Sequence, residues 1–147
     1  MRTSRIRLPL AFPLALGLSA CGAGSGPSPV LSVGGTYQTV VTLLESTCAG
    51  QTVEQHATTV THTPGATSLV VSHAGSDYPG TVSTGGMFST PAVTQIFDGI
   101  SYQITIAGAF SRTGMDARVD VSAARQPPCS FAARWAGLKS GEPNVIP

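Results

Sequence analysis

Three histidines, His56, His62 and His73, are the residues in this chain best suited to hold a metal or move a proton. His56 and His62 fall on one face of a single predicted strand but six residues apart, about 20 Å at roughly 3.3 Å per residue. A shared ion needs ligands about 2 Å from the metal, so no metal site is expected. His73, Ser76 and Asp77 crowd one loop and comprise the three residue types of a hydrolytic triad. A triad, however, is defined by geometry among distant segments, and turn chemistry accounts for Gly75-Ser76-Asp77 without catalysis. Hydroxyls are plentiful, yet the sequence contains no Gly-x-Ser-x-Gly elbow. Asp116 and Asp120 flank Arg118 on an alternating stretch, the pattern of a solvated strand face rather than of carboxylates whose pKa values are split for acid–base work. With no phosphate loop, dinucleotide fingerprint or Cys-x-x-Cys, neither catalytic residues nor a cofactor are expected.

The aromatic residues suggest a different chemistry. Tyr37, Phe88, Phe97, Tyr102, Phe110, Phe131 and Trp135 are spread through the chain and either fill a core or line a pocket for a small apolar ligand. Small barrels do both. The many Ala, Gly and Thr residues around them leave the choice open.

Charge narrows the partners. Only 10% of the 147 residues are charged and 41% are hydrophobic, and abundant Thr, Val and Gly fit a small all-β exported domain. Of eight basic residues, Arg2, Arg5 and Arg7 lie in the first seven positions. Without them five basic residues face seven acidic ones, a charge near −2, and Lys139 is the only lysine. Phosphate contacts need Lys/Arg clusters, so a nucleic-acid partner is not expected.

Those three arginines precede an apolar run of 11 residues, Leu8 to Leu18, and then small residues before Cys21. This order is that of a secretory signal, and the run is short of the roughly 20 residues a spanning helix needs. Leu18-Ser19-Ala20-Cys21 resembles the lipobox of bacterial lipoproteins at all four positions. The resemblance implies cleavage after residue 20, diacylglycerol on the Cys21 sulfur and acylation of the new amino terminus. Gly22 stands where Asp commonly signals inner-membrane retention, so the resemblance favours the outer membrane. Residues 21–32, rich in Gly, Ser and Pro, then read as a tether, and residues 33–147 as one domain.

If Cys21 carries lipid, an even pair remains, Cys48 and Cys129. An oxidising compartment favours their disulfide. Cys48 follows the first predicted strand and Cys129 opens the last, and in a meander that closes on itself those strands are neighbours.

The elements follow from period-two alternation and turn residues. Strands are predicted over Thr36–Leu44, Thr52–Thr63, Ser68–Ser72, Tyr78–Ser83, Met87–Phe97, Ser101–Phe110, Met115–Ala124 and Cys129–Gly137. Pro91 interrupts the fifth or keeps it at an edge, and Asp98-Gly99 is the strongest hairpin signal. In Ser101–Phe110 the inward set is Tyr102, Ile104, Ile106, Gly108 and Phe110; in the next strand it is Met115, Ala117, Val119, Val121 and Ala123. No stretch shows a capped 3.6-residue period. The fold class is all-β, a single antiparallel meander of about eight strands forming a barrel or a sandwich. Gly35-Thr36-Tyr37 and Trp135 on the final strand look faintly like the lipocalin and avidin group of barrels.

Function follows as an expectation: a non-enzymatic binding or structural module, lipid-anchored to the cell envelope. A calycin-like carrier of a small apolar ligand and an envelope hydrolase using the His73 loop are the alternatives. A cavity of a few hundred Å³ would favour the carrier. A His within reach of a buried Ser or Thr would favour the hydrolase.

Overall fold

The computed structural model describes residues 26–147; the signal segment 1–20 and Cys21 lie outside the described residues. Nine antiparallel strands form a closed eight-strand barrel plus one extra strand: β1 (Gly35–Ser46), β2 (Thr58–His62), β3 (Ser68–His73), β4 (Ser76–Val82), β5 (Met87–Ser89), β6 (Val93–Phe97), β7 (Ile100–Ser111), β8 (Gly114–Ala123) and β9 (Cys129–Lys139). Sequential neighbours pair from β1 to β5, β5 pairs with β7, and β7, β8 and β9 lead back to β1. Closure removes the free edges that an open sheet would expose. The extra strand, β6, extends the same edge of β7 that β5 occupies, with Met87–Ser89 opposite Ala109–Ala107 and Val93–Phe97 opposite Ile104–Ile100.

The predicted strand Met87–Phe97 is therefore two, broken at Thr90-Pro91-Ala92. Proline cannot donate to the ladder. Instead Thr90 bridges the gap: its backbone N–H donates to the Ile106 carbonyl at 2.8 Å and its Oγ1 accepts from the Ile106 N–H at 3.0 Å.

A second correction concerns Thr52–Thr63, of which only Thr58–His62 is strand. Residues 47–57 form a loop beside the upper half of β1. There the Gln55 side chain mimics a peptide group, accepting from the Val41 N–H at 2.8 Å and donating to the Val41 carbonyl at 2.9 Å. One side-chain amide thus replaces a ladder pair that a longer β2 would have supplied.

Alternation holds where it was clearest. Met115, Ala117, Val119, Val121 and Ala123 are all buried, as are Ile104, Ile106 and Phe110 on β7. At Gly108 a Cβ would collide with the Asp116 carbonyl and Ala117, so only glycine permits β7 to bend so close to β8. Asp98 and Gly99 both take positive φ, 51° and 77°, the primed turn that Asp-Gly favours. Outside, Arg134 pairs with Asp116, and Arg118 with Asp120 and Glu45, a solvated ladder across β1, β8 and β9.

One end of the barrel is plugged. Val33 and Tyr37 are fully buried there, with Leu31 beside them, and Ser32 pairs with Val145. The Tyr37 hydroxyl donates to the Val33 carbonyl at 2.6 Å and lies 2.8 Å from Asn144 Oδ1, while burial pushes its pKa up to about 12. Asn144 in turn accepts from Lys139 Nζ at 2.7 Å and donates to the Ser111 carbonyl at 2.7 Å. Phe110 stacks on Phe88 at 4.7 Å and packs on Tyr37 at 5.7 Å, so three of the aromatic residues fill this half of the core.

Cys48 and Cys129 form a disulfide, with Cα atoms 5.1 Å apart. β1 and β9 are paired antiparallel from Tyr37↔Lys139 to Ser46↔Phe131, which brings the end of one beside the start of the other. The bond fastens the start of the 47–57 loop to the base of β9.

Candidate functional site

The other half of the barrel is not filled. Between the 47–57 loop and the inward faces of β1, β3, β4 and β7–β9 lies a cavity of ≈ 220 Å³. Its walls are mainly Val41, Tyr78, Ile104, Val121, Phe131 and Trp135, and its polar groups include His73 and, from the loop, Glu54 and His56. Small residues make the space. β8 and β9 present Val119, Val121 and Ala133 to it, whereas Tyr37, Phe88 and Phe110 fill the other half.

His73 is the last residue of β3 and faces inward, 8% exposed. Its ring stacks on Trp135 with centroids 3.9 Å apart and planes 25° from parallel. Below it runs a chain of hydroxyls. His73 Nδ1 is 2.8 Å from Thr58 Oγ1, which is 2.8 Å from Thr39 Oγ1, which is 3.2 Å from the Tyr37 carbonyl. Strand register dictates the first contact, since Thr58 and His73 are directly opposed across β2 and β3. Burial, with a smaller contribution from the His56 charge, lowers the His73 pKa from 6.5 to about 4. The imidazole is consequently neutral at ordinary pH. Tyr78 on β4 has its pKa raised, again chiefly by burial.

His56 lies edge-on to His73 at 5.8 Å and is 3.1 Å from Glu54. The predicted face shared by His56 and His62 does not exist, because His56 is in the loop and not on β2. His62 sits at the plugged end, 3.0 Å from the Ala66 carbonyl. Among the described residues no group of three His, Cys, Asp or Glu side chains could hold a metal ion.

The His73–Ser76–Asp77 constellation is not assembled. The turn is Ala74-Gly75, with Ser76 and Asp77 already in β4. Asp77 opposes Ser72 on the outer face and accepts its hydroxyl at 2.5 Å, whereas His73 points in. The histidine's actual hydroxyl partner is Thr58, which sequence reasoning did not single out. Its signal was available only through the β2–β3 register.

Of the candidate pocket aromatics, Phe131 and Trp135 line the cavity, joined by Tyr78. Tyr37, Phe88 and Phe110 belong to the filled half. Phe97 is 51% exposed on the β6–β7 hairpin, 5.8 Å from Tyr102. The chain matches no protein-family model, no curated protein and no solved structure.

Proposed function

We propose that this protein is a lipid-anchored cell-envelope protein whose barrel binds a small, largely apolar molecule without transforming it. The observation that carries the reading is the cavity itself: apolar walls, a single buried imidazole and an aromatic platform, the composition of small-molecule sites. It favours the calycin-like carrier over a purely structural role.

The anchor rests on the Leu18-Ser19-Ala20-Cys21 motif. The chain enters the barrel at its plugged end, through Leu31 and Val33, and the cavity is bounded by the 47–57 loop in the other half. Diacylglycerol on the sulfur together with an acyl chain on the amino terminus exceeds the two chains that stable anchoring requires. Changing Cys21→Ser should move the protein from the membrane fraction to the soluble one. Retention in membranes through high-salt and carbonate washes would refute the anchor.

Hydrolysis has one observation in its favour, the 2.8 Å contact between Thr58 and His73. Against it, Thr58 is fully buried beneath the imidazole, where no substrate carbon can approach its oxygen, and a nucleophile must reach one at about 3–3.5 Å. Trp135, the only tryptophan, reports binding directly. Toluene should shift its emission saturably, and a linear, non-saturating response would refute the binding reading.

A further inference from the structure

We propose that the ligand of this cavity is a small uncharged ring carrying one hydrogen-bond donor, phenol being its simplest form, and that His73 Nε2 accepts that donor. This deepens the binding reading above and rests on it.

The argument begins with protons. Three links join the Tyr37 carbonyl, Thr39, Thr58 and His73 Nδ1, at 3.2, 2.8 and 2.8 Å. A carbonyl supplies no proton and each hydroxyl supplies one. Only one arrangement satisfies every link: Thr39 donates to the carbonyl, Thr58 to Thr39, and His73 Nδ1–H to Thr58. The tautomer is thereby assigned from the network, and it leaves Nε2 with a lone pair.

That lone pair has no protein partner among the described residues, the only hydrogen bond of the ring being through Nδ1. Among the same residues no occluded side-chain nitrogen or oxygen is left unpaired, so Nε2 is not sealed into the wall. It opens on the cavity that His73 lines. A site that holds an acceptor in place selects a ligand that donates, and it discriminates against one that leaves the acceptor bare.

Size and charge complete the description. An engineered cavity of about 150 Å³ holds benzene, so ≈ 220 Å³ suits one ring with one or two substituents. The groups facing His73 are His56 and Glu54 from the loop, Tyr78 from β4 and Trp135 from β9. Glu54 and His56 already pair with each other, and the neutral imidazole offers an anion no counter-charge. An anionic ligand would therefore enter without compensation.

Phenol, toluene and benzoate, titrated against Trp135 emission of the full-length protein at pH 7.5, separate the possibilities. Phenol should bind at least tenfold more tightly than toluene, with benzoate weakest. In His73→Phe, which keeps a stacked ring but has no acceptor, the phenol-to-toluene affinity ratio should fall towards one, and a ratio that stays tenfold or more would refute the role of His73. Equal affinity of phenol and toluene for the unaltered protein would overturn the donor rule and leave the binding reading standing. No saturable binding by any of the three would overturn both. Long-range ¹H–¹⁵N spectra of the free protein should show His73 as the Nδ1–H tautomer. An Nε2–H signal would refute the assignment independently of any ligand.

Discussion

Acidification should destabilise the barrel through one residue. Folding holds the His73 pKa at about 4 against 6.5 for the free side chain. As pH falls below 6.5 the unfolded chain takes up a proton that the folded chain refuses until about pH 4. Stability is therefore complete above pH 6.5, declines by about 1.4 kcal/mol per pH unit through the window, and levels off below pH 4. The whole loss is about 3 kcal/mol, a large share of the 5–15 kcal/mol typical of a domain. The cause is the site's geometry: a ring 8% exposed and stacked on Trp135, with the Thr58 hydroxyl and not a carboxylate as its hydrogen-bond partner among the described residues. Urea denaturation followed by Trp135 emission at pH 7.5, 5.5 and 4 measures it, and the midpoint should fall by roughly 1–3 M across the range. Carboxylates and the other histidines titrate in the same interval, so the informative quantity is the difference from His73→Gln. That variant should show a much flatter profile. Identical pH slopes for the two proteins would refute the claim that His73 is buried in its neutral form.

Other outcomes follow from packing and cross-linking. Replacing both Cys48 and Cys129 by Ala opens a cross-link spanning 81 residues, and should cost about 4–5 kcal/mol on the chain-entropy model; chemical denaturation checks this, and toluene affinity should fall as the loop loosens. Ile106→Ala, at a site 1% exposed, should cost about 2–5 kcal/mol, whereas Thr105→Ala should cost less than about 1 kcal/mol. Equal losses would mean that the inward and outward faces of β7 are misassigned. Tyr37→Phe removes a buried hydroxyl bonded to Val33 and should cost about 1–3 kcal/mol, with faster amide exchange at the plugged end.

How far the sequence could be read depended on whether a signal was local. Ser101–Phe110 and Met115–Ala124 were legible because each alternates over ten residues, and shifting either by one would turn its whole apolar set to water. The Asp98-Gly99 turn was legible because few dipeptides accept positive φ twice. The stretch from Thr52 to Ala57 misled because it opens on β-branched Thr52 and Val53 and runs without a turn former into Thr58, as a strand would. What ends pairing there is the Gln55 amide on the Val41 backbone, and nothing in the local sequence encodes that contact.

The sequence by itself determined an all-β chain, which faces of β7 and β8 are inward, and that Cys48 follows the first strand while Cys129 opens the last. Each of these depends on residue type, period and order along the chain. Tertiary structure alone decided that His73 leans on Trp135, 62 positions away, that Thr58 holds its Nδ1, and that the space beside it stays open. Register across β2 and β3, the shear of a closed barrel and the volume left between alanines and rings are properties of the assembled sheet. No window of the sequence contains them, because the residues involved become neighbours only when the barrel closes.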